Sequence, residues 1–437
     1  MKKAPSFTVE KAVLENVTVD GETMEILYRL DGVPLGPRLH YEGLDLRRGL
    51  PGGGPALERF AAALAAFAVA RFGAVLPKRV DFGPAGSLIP RELVDFLRYV
   101  LPGVWSEHRY QLGRLGFHYP EFVAHGSPPA ASMPWPIWTL PDSGNRVLLA
   151  TGSGKDGTLC GLMLGKAGIP FDAIGYLHDQ YGDVERQRDL FAPAEGRLRS
   201  ERHFRMTVRD EYYPWLEERI QRFGIEKHSE KPFRREAGEV FLLSLAMIPF
   251  QIAYDIPLQV FGDEKSADRP NLIDPETGEP VAHQWEKSIH GERALHGLYA
   301  RMFSNLNRAS LLKPLHDARI FHTLFALDPD IAYLTNSCNI RKPWCGRCEK
   351  CAYVFAGFSA YGDPARTIAA FGADLLDDPA LLAHLGRVVG PEETYRLGVR
   401  RPSRRGATLF LQDASQGETG TGDDALPGTG PGGPQRR

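Results

Sequence analysis

The chain has 437 residues, 43% of them hydrophobic and 24% charged, with a formal net charge of -2. This length favours two or three domains, or one with large insertions, and the composition is ordinarily globular, with no charge excess of the kind that binds polyanions, so nucleic acid is not an expected partner. No apolar stretch approaches the ~20 residues of a membrane span, and Met1-Lys2-Lys3-Ala4-Pro5 lacks an apolar leader core, so a cytoplasmic protein without membrane association is expected.

In chain order, Val17-Thr18-Val19 and Met24-Glu25-Ile26-Leu27-Tyr28 flank Gly21 in the pattern of a hairpin. A helix is predicted over Ala56 to Phe72, with Leu57, Phe60, Leu64 and Phe67 on its core face, and another over Arg91 to Leu101. Together they suggest an α+β N-terminal domain over residues 1–140, ending in the Pro-rich run Pro128 to Pro136. Val147 to Ala150 reads as an apolar strand, followed by a Gly-rich turn, a helix from Thr158 to Lys166 and a strand from Phe171 to Leu177. This is a βαβ unit and implies a parallel sheet. A helix over Val240 to Tyr254, a strand over Leu258 to Phe261, and helices over His283 to Phe303 and Leu311 to Phe325 continue the alternation. The fold class is therefore α/β, a doubly wound parallel sheet spanning residues 141–365. Residues 366–411 read as a helical extension, and residues 412–437, nearly free of apolar side chains, as a disordered tail.

Directly after the first strand of the βαβ unit stands Thr151-Gly152-Ser153-Gly154-Lys155-Asp156-Gly157-Thr158. Glycines let the backbone turn sharply and present bare N–H groups to an anion, and the next helix adds its N-terminal dipole. The candidate phosphate-binding residues are Gly152, Ser153, Gly154, Lys155, Asp156 and Thr158. The loop is not a Walker A motif, because Asp follows the Lys where Ser or Thr is required. A plain strand-to-helix turn is the bland alternative. Cys160, alone in the following helix, reads as a core residue.

The strongest signal is Cys338-x6-Cys345-x2-Cys348-x2-Cys351. Four thiolates within fourteen residues, with Gly346 as the knuckle, suit a closed structural Zn²⁺ site, an iron–sulfur cluster being the competing metal. Between loop and knot lie Asp263 and Glu264, just past a strand, where they are placed to hold Mg²⁺. His283 and Lys287, four apart, share a helix face if that segment is helical, and are the candidates for proton transfer. The alternative is a solvated charged helix with a capping acid upstream. Arg341, Lys342 and Arg347, beside the knot, are placed to steer an anion, and His178 and Asp179 lie near the same rim.

The loop resembles the S-G-G-x-D-S loop of the PP-loop ATP-pyrophosphatases, with Gly152, Ser153 and Gly157 departing from that pattern. A loop of this kind followed far downstream by a four-cysteine knot is similar both to 7-cyano-7-deazaguanine synthases and to the ATP-dependent UDP-N-acetylmuramoyl-L-alanyl-L-glutamate epimerases. The segments Asp263 to Ala267, His283 to Ser288, Ser310 to Leu315, Ser337 to Asn339 and Trp344 to Cys351 resemble landmarks of the epimerases in the same order. The resemblance implies a PP-loop fold and an enzyme that uses ATP, Mg²⁺ and a structural Zn²⁺. It implies a UDP-linked peptide as substrate, adenylation of its terminal glutamate and inversion of the α-carbon in peptidoglycan precursor synthesis, with release of AMP and pyrophosphate. The alternatives are an amide- or nitrile-forming adenylating enzyme and a zinc-stabilised ATP-binding module without turnover.

Overall fold

A computed structural model describes residues 6–50, 53–123, 145–227, 233–302, 305–338, 340–378 and 381. The Pro-rich run, most of the helical extension and the disordered tail expected from the sequence lie outside these residues. The predicted hairpin is β1 (Lys11–Asp20) and β2 (Thr23–Leu30), antiparallel, with Gly21 in the left-handed region at φ 55°. Short strands β3 (Val33–Leu35), β4 (Pro37–Tyr41), β5 (Arg79–Asp81) and β6 (Glu121–Val123) complete the N-terminal part.

The βαβ unit forms as expected. β7 (Val147–Thr151), helix Lys155–Lys166 and β8 (Phe171–His178) are followed by β9 (His203–Asp210), β10 (Leu258–Phe261), a small hairpin of β11 (Leu272–Ile273) and β12 (Pro280–Val281), and β13 (Asn307–Ser310). All strands but β11 and β12 belong to one sheet, which runs β13-β10-β7-β8-β9-β4-β2-β1-β5-β6, with β3 alongside β2. From β13 to β9 every pairing is parallel, and the antiparallel β4–β9 pairing joins this block to the N-terminal strands. The α/β part and the N-terminal part therefore share one continuous, mostly parallel sheet.

Taken alone, the parallel block has the order third, second, first, fourth, fifth, counting from β7. Strand order reverses between β7 and β10, and in such sheets the crevice outside the carboxyl ends at this reversal is where ligands bind. Side chains alternate across β7. Leu148 joins a core with Phe60, Phe96 and Phe241, whereas Val147 and Leu149 join the other with Leu159, Phe321 and Phe355. Both faces are covered, as parallel strands require. Among the described residues no helix is long and apolar enough to cross a membrane.

Three predicted helices change shape. Val240 to Tyr254 divides into Glu239–Ala246 and Ile248–Ala253, with Pro249 in the first turn of the second. The segment expected to be helical from His283 begins at Ile289 instead, because Ser288 Oγ accepts the Gly291 N–H at 3.1 Å and residues Trp285–Lys287 form a 3-10 turn packed against Gly291. His283 and Lys287 therefore do not share a helix face. The helix expected from Leu311 starts at Asp317, since Leu311 to Pro314 make a turn and His316 is extended.

His108 is fully buried, with its ring edge-on to Phe233 at 6.1 Å. Burial, then the positive charge of Arg234, pushes this imidazole down to about 3, against the pull of Glu107. The folded chain thus binds fewer protons than the unfolded chain between that value and the ordinary histidine value of about 6.5. Its stability is intact above that range and falls as pH drops through it, by up to about 1.4 kcal/mol per pH unit from this group. His108→Leu is expected to lose less melting temperature between pH 6.5 and 4.5 than the parent protein; parallel melting curves over that range would contradict this assignment.

Candidate functional site

The loop after β7 lies at the reversal of strand order. Ser153 sits at φ 55° and its N–H donates to Thr151 Oγ1 at 3.1 Å, folding the loop back on the strand end. Gly154 caps helix Lys155–Lys166 in an extended conformation. Two further glycines are needed for close approach. A Cβ on Gly157 would stand 3.2 Å from Ala150 O, and one on Gly262 would stand 2.9 Å from the Asp156 backbone, so β10 abuts the start of this helix. Thr158 Oγ1 is buried without a hydrogen-bond partner.

Lys155 is 1% exposed. Its Nζ bonds Asp156 Oδ1 at 2.6 Å and Asp317 Oδ1 at 2.9 Å, and lies 5.2 Å from the centre of the Phe321 ring. Burial works against its charge, but Asp156, Asp317 and Glu264 outweigh burial and hold the ammonium above the ordinary lysine range. Asp317 is correspondingly held low: burial opposes its ionisation and Lys155 wins. Glu264 goes the other way. Burial and repulsion from Asp317 and Asp156 raise it, against the attraction of Lys287 and Lys155. Three acids gathered around one lysine make a place where an added cation is electrostatically favoured.

The two acids read together from the sequence have different surroundings. Asp263 is buried, with Oδ2 bonded to Arg308 Nη2 at 2.5 Å and to Ser310 Oγ at 2.9 Å. Glu264 faces the Lys155 group, with Ser266 Oγ 3.5 Å from its Oε1 and bonded at 3.0 Å to Asp317 Oδ2. Lys287 lies in electrostatic reach of Glu264, and its carbonyl accepts from Lys313 Nζ. His283 is about half exposed and turned to another pair, with Nδ1 2.9 Å from Glu107 Oε2 and Arg234 Nη1 against its ring. The structure thus brings Glu264 to Lys155 of the loop, sets Lys287 in electrostatic reach of Glu264, and ties His283 to Glu107 and Arg234.

The four cysteine sulfurs lie within 4.8 Å of one another, with Cys338–Cys348 and Cys345–Cys351 both at 3.8 Å. A tetrahedron built on zinc–sulfur bonds of about 2.3 Å has edges of about 3.8 Å, so the donor set and its spacing fit Zn²⁺. Ile340 and Arg341 N–H groups point at Cys338 Sγ at 3.4 Å, and Gly346 turns the knuckle at φ 74°. The segment around the start of the knot holds the glycine-rich loop. Asn336 N–H donates to Ser153 O at 2.6 Å, the Lys155 N–H to Ser337 Oγ at 3.3 Å, and Lys342 Nζ to Gly152 O at 3.3 Å and Asn336 O at 2.7 Å.

Asp317, Asn336 and Arg308 were not singled out by the sequence reading. Asp317 was hidden inside a helix predicted to start six residues early, and Asn336 and Arg308 carry no motif of their own. Lys342, read as a steering charge, is instead bonded to the loop backbone.

Residues 332–395 match the family model described as MurL C-terminal domain. A UDP-N-acetyl-alpha-D-muramoyl-L-alanyl-L-glutamate epimerase of Salinispora tropica is 33% identical over 141 residues, 30% of this chain and 30% of that protein. One of Xanthomonas oryzae pv. oryzae is 35% identical over 129 residues, 27% of this chain and 28% of that protein. The aligned segments span under a third of either relative's length, and over them this chain is similar to epimerases that carry that name.

Proposed function

We propose that the protein is an ATP-dependent epimerase of a UDP-linked muramoyl peptide, acting in peptidoglycan precursor synthesis in the cytoplasm. In this reading it is an enzyme of the PP-loop class. The observation that carries the proposal is the clamp between the two halves of the site. The segment that matches the MurL C-terminal domain is the one whose Asn336, Ser337 and Lys342 hold the loop at the reversal of strand order.

The chemical need is clear. An α-proton beside a carboxylate is hard to remove, because the carbanion forms next to an existing negative charge. Adenylation removes that charge and lets the carbonyl accept the electron pair. In the proposed site the N–H groups and hydroxyls of Gly152 to Thr158 hold the pyrophosphate portion of ATP, and Thr158 Oγ1 is a buried hydroxyl still without a partner there. Lys155 screens phosphate charge. Asp156, Glu264 and Asp317 are the acids that would hold Mg²⁺, which supplies neutralisation of the triphosphate. Asp263, fixed by Arg308 and Ser310, positions the β10 end. The four cysteines would hold a Zn²⁺ that supplies structure and no open coordination position.

With ATP, Mg²⁺ and UDP-N-acetylmuramoyl-L-Ala-L-Glu, the protein is expected to form AMP and pyrophosphate only when the peptide is present. Formation of ADP and phosphate contradicts adenylation. Consumption of ammonia would favour the amide- or nitrile-forming alternative, and no turnover at all the binding-module alternative.

A further inference from the structure

The carboxyl end of β8 carries a second group of polar side chains. Glu239 opens its helix, and its two carboxylate oxygens are held separately: the Tyr176 hydroxyl donates to Oε1 at 2.8 Å and the Tyr181 hydroxyl to Oε2 at 2.9 Å. Behind them His178 is buried, with Nε2 4.0 Å from Glu239 Oε1 and its ring edge-on to Tyr176, Tyr181 and Tyr213. The Gln180 N–H donates to His178 Nδ1 at 3.0 Å, and Asp179 Oδ1 lies 3.2 Å from the same nitrogen, so the ring is held from its far side with Nε2 towards Glu239. Burial, and after it the charge of Glu239, holds both phenols well above the ordinary tyrosine range, so they remain donors. The Glu239 side chain is 17% exposed against 1% for His178, so of these two the carboxylate is the one open to a ligand.

This group adjoins the phosphate loop. Lys342, which donates to Gly152 O, lies 5.6 Å from the centre of the Tyr181 ring. Its place in the sheet matters more. Inverting a carbon requires a proton to leave one face and another to arrive on the opposite face. β8 and β10 are bonded to opposite sides of β7, so their ends stand about 10 Å apart with the loop between them. Glu264 stands just past the end of β10, and Glu239 is held by Tyr176 and Tyr181 at the end of β8.

We propose that Glu239 is the catalytic base that takes the α-proton of the adenylated glutamyl residue, with Tyr176, Tyr181 and His178 as its positioning residues and Lys287, in electrostatic reach of Glu264, as the acid. This rests on the epimerase reading above. The Cα–H bond breaks, the proton passes to a Glu239 oxygen, and the electron pair moves into the acyl-adenylate carbonyl. The Lys287 ammonium then gives a proton to the other face, forming the inverted Cα–H bond. Water cleaves the acyl–phosphate bond to release carboxylate and AMP, and Glu239 and Lys287 recover their starting states by proton exchange with solvent.

The test follows two half-reactions of the full-length protein in deuterated water, with ATP, Mg²⁺ and UDP-N-acetylmuramoyl-L-Ala-L-Glu. Glu239→Gln is expected to release pyrophosphate within threefold of the parent rate while deuterium enters the α-position at least a hundredfold more slowly. Tyr181→Phe, which leaves the carboxylate in place, is expected to slow deuterium entry at least tenfold with pyrophosphate release intact. It decides the matter should Glu239→Gln prove unfolded by its melting curve. Deuterium entry at the parent rate in either folded variant, or equal loss of both half-reactions, overturns the role of Glu239 alone. A parent protein that releases no pyrophosphate overturns the adenylation reading and this role with it.

Discussion

Lys155→Met is expected to reduce AMP formation on the order of a thousandfold, the scale of losing one preorganised charge-stabilising donor at a reacting centre. The lysine is 1% exposed and is the buried positive charge to which Asp156 and Asp317 are both bonded. Methionine keeps the length and the contact with Phe321 but leaves two acids facing each other beside Glu264. Breaking such a buried pair costs about 3 kcal/mol, near the low end for buried pairs, because the side chains of Asp156 and Asp317 are 28% and 26% exposed. Lys155→Arg is not expected to rescue it, since a planar guanidinium is bulkier than the buried ammonium that Asp156 and Asp317 hold beside the rings of Phe321 and Tyr353. Parallel measurement of AMP formation and chemical denaturation separates the two effects. A variant that is less stable but turns over ATP normally would reduce Lys155 to a structural ion pair.

Cys348→Ser is expected to remove about one bound zinc per chain and to unfold the stretch around the knot, because a four-thiolate site gives much of its binding energy to folding. The consequence should travel to the loop. Asn336, Ser337 and Lys342 are placed by the chain that enters the knot, and they contribute hydrogen bonds to Ser153, Lys155 and Gly152. Loss of ATP affinity together with loss of metal is therefore the expected pairing, read by elemental analysis and nucleotide titration. Zinc loss with ATP affinity unchanged would show the knot and the loop to be independent.

The parts of this site that are local in sequence were legible there. The loop after an apolar strand, the four cysteines and the strand before Asp263 all announce themselves through spacing and periodicity. The long-range parts were not. β9 carries Arg205, Arg209 and Asp210 among its apolar residues, and β13 is only Asn-Arg-Ala-Ser, with Arg308 and Ser310 turned to Asp263. Neither shows the unbroken apolar run of a buried parallel strand. The β4–β9 pairing that extends the sheet into the N-terminal strands is likewise a contact between segments more than 160 residues apart, which no local pattern encodes. Asp317 and Glu239 illustrate the same point on the scale of side chains. Each is an unremarkable first-turn acid in its helix, and each acquires its surroundings only when that helix is docked at the carboxyl edge of the sheet.

In the proposed reaction, adenylation drives inversion at the glutamyl α-carbon. The most direct measurement incubates the parent protein with ATP, Mg²⁺ and UDP-N-acetylmuramoyl-L-Ala-L-Glu in deuterated water, then hydrolyses the peptide and determines the configuration and isotope content of its glutamate. D-glutamate carrying deuterium at the α-position, formed only with ATP present, is the expected product. L-glutamate recovered without deuterium, after ATP has been consumed, would contradict it.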